Sequence, residues 1–185
     1  MSEKSNLGLV SVFWGDGKGK TTSALGTALR ALGSGFSVHL VQFMKNGAET
    51  LEEQIPGEIK SLEKFPTFSY KRFGSGSWVT PKNKEKHKSE VESAFQYLQS
   101  CLSKDYDIII ADEILYAVQL ELLSENSVVS LIDYLKSNKI KKDLILTGSH
   151  VPFPNIFEKA DLVSEIKKIK HPYDSGILAR KGLEF

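Results

Sequence analysis

Gly15-Asp16-Gly17-Lys18-Gly19-Lys20-Thr21-Thr22 is the stretch that decides the fold. A short apolar run at 9–14 precedes it. The segment at 20–32 follows, with Ala24, Leu25, Ala28, Leu29 and Leu32 on one helical face. Strand, glycine-rich turn and helix, in that order, are the setting of a phosphate-binding P-loop. The glycines let the backbone curl so that successive N–H groups converge on phosphate oxygens. The helix N-terminus adds unpaired donors and the positive end of its dipole. Lys20 brings a cation to the phosphates, and Thr21 offers a hydroxyl to Mg²⁺. Counting back from Gly19-Lys20, the first glycine of the common spacing is replaced by Trp14. Gly15 and Gly17 lie inside the loop instead, with Lys18 as a second cation. The bland alternative, a glycine turn with solvated lysines, does not require this ordered context.

The second chemical signal is Ile108-Ile109-Ile110-Ala111-Asp112-Glu113. Four apolar residues make a buried strand, and two carboxylates emerge at its C-terminal edge, where α/β sheets bind ligands. Mg²⁺ takes oxygen ligands and keeps several waters, so Asp112 and Glu113 beside Thr21 suffice to hold it. The alternative is an acid pair favoured by a helix N-terminus.

Outward from these motifs, apolar runs alternate with amphipathic stretches. Strands are expected at 38–44, 108–111, 143–147 and 162–166, and helices at 84–103, 114–122, 128–135 and 156–160. Residues 45–80 are rich in Gly, Pro, Ser and charge, with one strand at 68–73; such irregular stretches are often functional. The alternation predicts an α/β fold, P-loop NTPase-like, with a mostly parallel sheet flanked by helices. A chain of 185 residues with 41% hydrophobic content supports one domain over 1–185. Residues 1–6 are expected to be flexible.

A net charge of +1, from 24 basic and 23 acidic residues, argues against a protein built mainly to coat nucleic acid. No apolar run approaches the roughly 20 residues needed to cross a bilayer. The start of the chain has no signal-peptide core. The single cysteine, Cys101, falls on the buried stripe of its helix and permits no internal disulfide. A reduced, cytoplasmic compartment is expected.

The P-loop alone says only that a nucleotide binds. Further segments narrow the reading: Gly26 to Arg30 (GTALR), Val41-Gln42-Phe43, Thr147-Gly148, Ala160-Asp161, Val163-Ser164-Glu165, the tail Lys170-His171-Pro172-Tyr173-Asp174-Ser175-Gly176, and Gly182-Leu183-Glu184-Phe185. With GDGKGKTT and Asp112-Glu113, this ordered set resembles the P-loop type ATP:corrinoid adenosyltransferases, over nearly the whole chain. The loop and the tail are its most specific parts.

The resemblance implies that a Co(I) corrinoid attacks the 5′ carbon of ATP and that triphosphate leaves whole. It implies triphosphate binding by Gly15, Asp16, Gly17, Lys18, Gly19, Lys20, Thr21 and Thr22. Lys20 and Glu113 are then the catalytic pair, and Thr21, Asp112 and Glu113 hold Mg²⁺. Arg30 is a candidate for contact with nucleotide or corrinoid, or else a solvated arginine on the helix surface. Trp78 is the candidate aromatic for removing the lower axial ligand of the corrinoid. A reductant is implied, either a flavodoxin-like protein or reduced flavin, and so is a homodimer. No nucleic-acid or membrane partner is expected.

This sequence departs from the family pattern at three places. Asp16 stands where asparagine is usual, Gly76 replaces a phenylalanine near Trp78, and Ser149-His150 replace an arginine after Thr147-Gly148. Phe73 is a candidate substitute for the lost ring. Two other functions remain open on the sequence: another P-loop ATPase or kinase, and a nucleotide- or corrinoid-binding module without turnover.

Overall fold

In this computed structural model, residues 6–45, 55–75, 77, 79–180 and 182–183 are described. The strands are β1 (Val10–Trp14), β2 (Val38–Gln42), β3 (Phe68–Arg72), β4 (Ile108–Asp112), β5 (Asp143–Thr147) and β6 (Leu162–Glu165). The helices are α1 (Lys20–Gly33), α2 (Gly57–Leu62), α3 (Lys84–Cys101), α4 (Ile114–Gln119), α5 (Glu125–Ser137) and α6 (Pro154–Lys159), followed by a 3-10 turn at Pro172–Ser175. The six strands form one sheet in the order β3-β2-β4-β5-β1-β6, and every pairing is parallel. The fold is therefore α/β and P-loop NTPase-like.

Period-two alternation explains how helices cover both faces of the sheet. Ile108 and Ile110 point into the cluster containing Ala24, Leu25, Ala28 and Leu32 of α1 and Ile59 of α2. Ile109 and Ala111 point into the other, against Leu98 and Cys101 of α3, Leu115 of α4 and Ile132 of α5. Strands β2 and β4 are buried along their whole length, as central parallel strands should be.

Three carboxylates lock the starts of strands to their neighbours. Asp143 Oδ1 accepts the amides of Gly8 and Leu9, each at 2.9 Å. Asp161 Oδ2 accepts the Val10 amide at 2.8 Å. Asp107 Oδ2 accepts the Ser37 amide at 2.8 Å. Ala160-Asp161, quoted above for its resemblance, thus has a plain structural duty.

Several boundaries differ from expectation. Leu29 is 53% exposed, while Ala31 is buried. At ~100° per residue, Leu29 lies roughly 40° beyond the Leu25 edge of the buried stripe. Helix α5 starts at Glu125 because Ser124 caps it, accepting the Ser127 amide at 3.0 Å. Helix α2, inside the irregular 45–80 region, buries Ile59 and Leu62. No described helix is long and apolar enough to cross a membrane.

Candidate active site

The glycine loop between β1 and α1 is pressed against two other segments. The Gly15 amide donates to Ser149 O at 3.0 Å, and the Gly17 amide to Ile166 O at 2.8 Å. A methyl group on Gly15, where φ is +115°, would lie 2.3 Å from Ile166 O; one on Gly17 would lie 2.7 Å from the Lys167 carbonyl carbon. Glycine is needed at both positions because backbone approaches backbone there. Trp14 turns away from the loop onto α6, its ring centroid 5.1 Å from that of Phe157. The loop therefore starts one residue late, at Gly15.

Asp16 has a specific contact. Its Oδ1 accepts the Lys168 amide at 3.0 Å. That hydrogen bond is the main cause that holds the exposed carboxyl below its usual pKa. An asparagine oxygen can accept the same bond, which accounts for the exchange of one for the other. Lys18 Nζ reaches Leu183 O at 2.8 Å. Lys20 Nζ donates to Gly15 O at 2.6 Å and Gly17 O at 3.0 Å. Burial lowers the Lys20 pKa, while the charges of Glu113, Asp16 and Asp112 pull the other way. Helix α1 has no side-chain cap and no acid in its first turn. Its positive end is left for an anion.

Strand order brings the second motif opposite the first. Because β5 lies between β1 and β4, its last residue, Thr147, stands between loop and carboxylate. Asp112 is fully buried. Its Oδ1 accepts from Thr21 Oγ1 at 2.8 Å and Thr147 Oγ1 at 2.7 Å, and its Oδ2 from Gln42 Nε2 at 2.9 Å. These donors satisfy a polar group that would be costly to bury unpaired. The Thr147 hydroxyl also accepts the Glu113 amide at 3.0 Å. Glu113 adopts a left-handed backbone, φ +65°, and its Oε1 receives Lys45 Nζ at 3.4 Å. Gly148 permits this packing, since a methyl group there would meet Tyr116 N at 2.7 Å and Glu113 Cα at 3.2 Å.

The donor set of Thr21 hydroxyl and two carboxylates is all oxygen, the chemistry that Mg²⁺ prefers. Gln42 Oε1 is buried, with no hydrogen-bond partner among the described residues. The residues present thus fit a magnesium ion carried with a polyphosphate.

The structure brings together Gly15, Asp16, Gly17, Lys18, Gly19, Lys20, Thr21, Asp112 and Glu113. Thr22 lies exposed in the first turn of α1. It does not bring Arg30 there. Arg30 is exposed in the last turn of α1, about 15 Å along the helix axis from Lys20 at 1.5 Å per residue. Trp78 and Gly76 lie outside the described residues. The Phe73 ring packs 5.5 Å from Tyr97, with Lys71 Nζ 5.2 Å from its centroid. In the tail, His171 Nδ1 accepts the Tyr173 amide at 3.2 Å, and Asp174 pairs with Lys168 at 3.1 Å. Sequence reasoning missed the parts played by Gln42, Thr147 and Lys45. The available signal was a polar residue ending an otherwise apolar buried strand, at Gln42 and Thr147.

A glycine loop before an uncapped helix, facing a buried carboxylate at the end of a second parallel strand, defines a P-loop NTPase-like α/β protein. Comparison with known proteins narrows the class. The family model described as ATP:corrinoid adenosyltransferase BtuR/CobO/CobP matches residues 6–185. A corrinoid adenosyltransferase of Escherichia coli K12 is 33% identical over 183 residues, covering 96% of this chain and 86% of that protein. One from Pseudomonas aeruginosa is 33% identical over 185 residues, covering 98% and 86%. Corrinoid adenosyltransferase CobA of Salmonella typhimurium is 32% identical over 183 residues, covering 96% and 86%. The chain belongs to the ATP:corrinoid adenosyltransferase family.

Proposed function

We propose that this chain, as one domain, transfers the 5′-deoxyadenosyl group of ATP to the Co(I) of a corrinoid and releases triphosphate. The observation that carries this reading is the uncapped start of α1, with Lys20 and Thr21 facing the buried Asp112. That arrangement suits an intact polyphosphate as leaving group.

In this reaction the Co(I) electron pair forms the cobalt–carbon bond. The C5′–oxygen bond breaks, and its pair leaves on triphosphate. No proton moves, so no general base is needed. The charge to be stabilised collects on the leaving oxygens. Loop amides, Lys18 and Lys20 hold them, Lys20 exchanging the Gly15 and Gly17 carbonyls for phosphate. Thr21, Asp112 and Glu113 would hold Mg²⁺, which would supply further neutralising charge when bound. Lys45 keeps the Glu113 carboxylate in place.

The corrinoid lies over the nucleotide. A reduced flavin or flavodoxin-like protein supplies the electron that makes Co(I). The homodimer in this reading rests on the family resemblance alone. The single cysteine, buried and free, supports a reducing, cytoplasmic setting.

The test is anaerobic incubation with ATP, Mg²⁺ and chemically reduced cobalamin or cobinamide. Absorbance should report a new cobalt–carbon bond only when ATP and Co(I) are both present. ATP binding with no adenosylation of either corrinoid would sink this reading for these substrates.

A further inference from the structure

We infer that the segment after β6 is a strap coupled to the polyphosphate: it clasps the outer side of the glycine loop, and a bound polyphosphate orders it. The inference rests on the nucleotide reading above and adds a conformational partner to that site.

Three consecutive loop residues are held by this one segment. Asp16 Oδ1 accepts the Lys168 amide at 3.0 Å. The Gly17 amide donates to Ile166 O at 2.8 Å. Lys18 Nζ donates to Leu183 O at 2.8 Å, across 165 residues of sequence. The clasp begins as a continuation of the sheet, because the Ile166 amide donates to Trp14 O at 2.8 Å, at the end of β1. Its backbone then runs so close that neither Gly15 nor Gly17 has room for a methyl group.

Little else holds the strap. Residues 167–170 and 172–180 are exposed, and among the described residues neither core cluster reaches past Ala160. A segment without buried apolar contacts sits at the low end of local stability. What order it has is polar and local. The Gly176 amide donates to Tyr173 O at 2.9 Å, and the Ile177 amide to Pro172 O at 3.1 Å. Lys168 joins this turn to the loop: its amide meets Asp16, while its ammonium meets Asp174 Oδ1 at 3.1 Å.

These contacts leave the inner side of the loop to the ligand. An ammonium carries three donors, so Lys18 can hold Leu183 O and a phosphate oxygen at once. A polyphosphate that fixes the loop therefore fixes the anchors of the strap as well. Linkage makes the effect reciprocal: a seated strap tightens polyphosphate binding by the factor by which polyphosphate seats the strap. Asp16 and Lys168 are positioning residues in this device, and Lys18 is its bridge to the ligand.

The test is equilibrium binding of Mg·ATP, and separately of inorganic triphosphate with Mg²⁺, without corrinoid, together with amide hydrogen exchange of the full chain. Asp16→Ala and Asp16→Asn lose the same charge, but only asparagine keeps an acceptor for the Lys168 amide. Asp16→Ala should bind both ligands about three- to tenfold more weakly than Asp16→Asn, as expected for one hydrogen bond. Removing residues 182–185 should weaken binding by a few-fold. In the wild-type chain, triphosphate should slow amide exchange over 168–177 by about threefold or more. Equal affinities of the two Asp16 variants overturn the coupling. So does exchange that triphosphate leaves unchanged or speeds. So does unchanged or tighter binding after the removal, because Leu183 would then be idle or a competitor for Lys18. A wild-type chain that binds neither ligand overturns the nucleotide reading as well.

Discussion

At the scale of single residues, Asp112 is the pivot of the candidate site. It gathers donors from three segments: Thr21 at the start of α1, Gln42 on β2 and Thr147 on β5. Replacing it by asparagine turns one acceptor into a donor facing donors. Asp112→Asn should destabilise the fold by about 1–3 kcal/mol and sharply raise the Mg²⁺ needed for half-maximal turnover. Denaturant unfolding and a metal titration check the two effects. Lys20→Ala should lower kcat by on the order of a hundredfold, with little change in melting temperature because the side chain is only half-buried. Lys20, Thr21, Asp112 and Glu113 were legible in the sequence because each belongs to a contiguous motif. Gln42 and Thr147 were quoted only as marks of resemblance. Their roles depend on strands that meet through tertiary pairing, which no local spacing encodes. Arg30 shows the reverse: its motif matched, yet helical rise carries it away from the loop.

At the scale of elements, the glycine loop is shaped by its neighbours as much as by its own residues. It leans on the strip after β6, where Ile166 O and the Lys168 amide hold Gly17 and Asp16. Gly17→Ala would force a methyl group to 2.7 Å from the Lys167 carbonyl carbon. It should weaken nucleotide binding and lower the melting temperature together. Gly148→Ala should misplace Glu113 by crowding the start of α4; its signature is a loss of turnover larger than the loss of nucleotide affinity. Binding and turnover measured on one preparation separate these cases. The main strands and helices were readable from apolar runs and helical periodicity. Helix α2 and the 3-10 turn were not, because pieces so short carry too few periods to register. The start of α5 was missed for another reason: Ser124 extends it ahead of its first buried residue.

At the scale of the whole molecule, alternating strand and helix patterns were enough for the fold class. The strand order was not, because it is set by which crossover passes over which strand. That order places β5 between the two motif-bearing strands and gives Thr147 its bridging role. A second global feature is His39, which is buried in β2. Its ring nitrogens lie 2.7 Å from Ser69 Oγ and 3.1 Å from Tyr97 Oη, and Tyr106 stacks on the ring. Burial, with help from Lys104 and Lys71, lowers its pKa to about 4. The unfolded chain therefore takes up this proton before the folded one does. The stabilisation is complete above the unfolded pKa of about 6.5 and is lost as pH falls toward 4. The melting temperature should decline from pH 7 to pH 4, and His39→Gln should flatten that decline.

The central claim is that the site holds the polyphosphate as one leaving group. The most direct test is the ratio of triphosphate to adenosylated corrinoid in an anaerobic reaction with ATP, Mg²⁺ and Co(I) corrinoid. The account predicts one triphosphate for each cobalt–carbon bond, with no ADP. ADP or free phosphate as the nucleotide product, without a cobalt–carbon bond, would contradict it and mark the site as one for phosphoryl transfer.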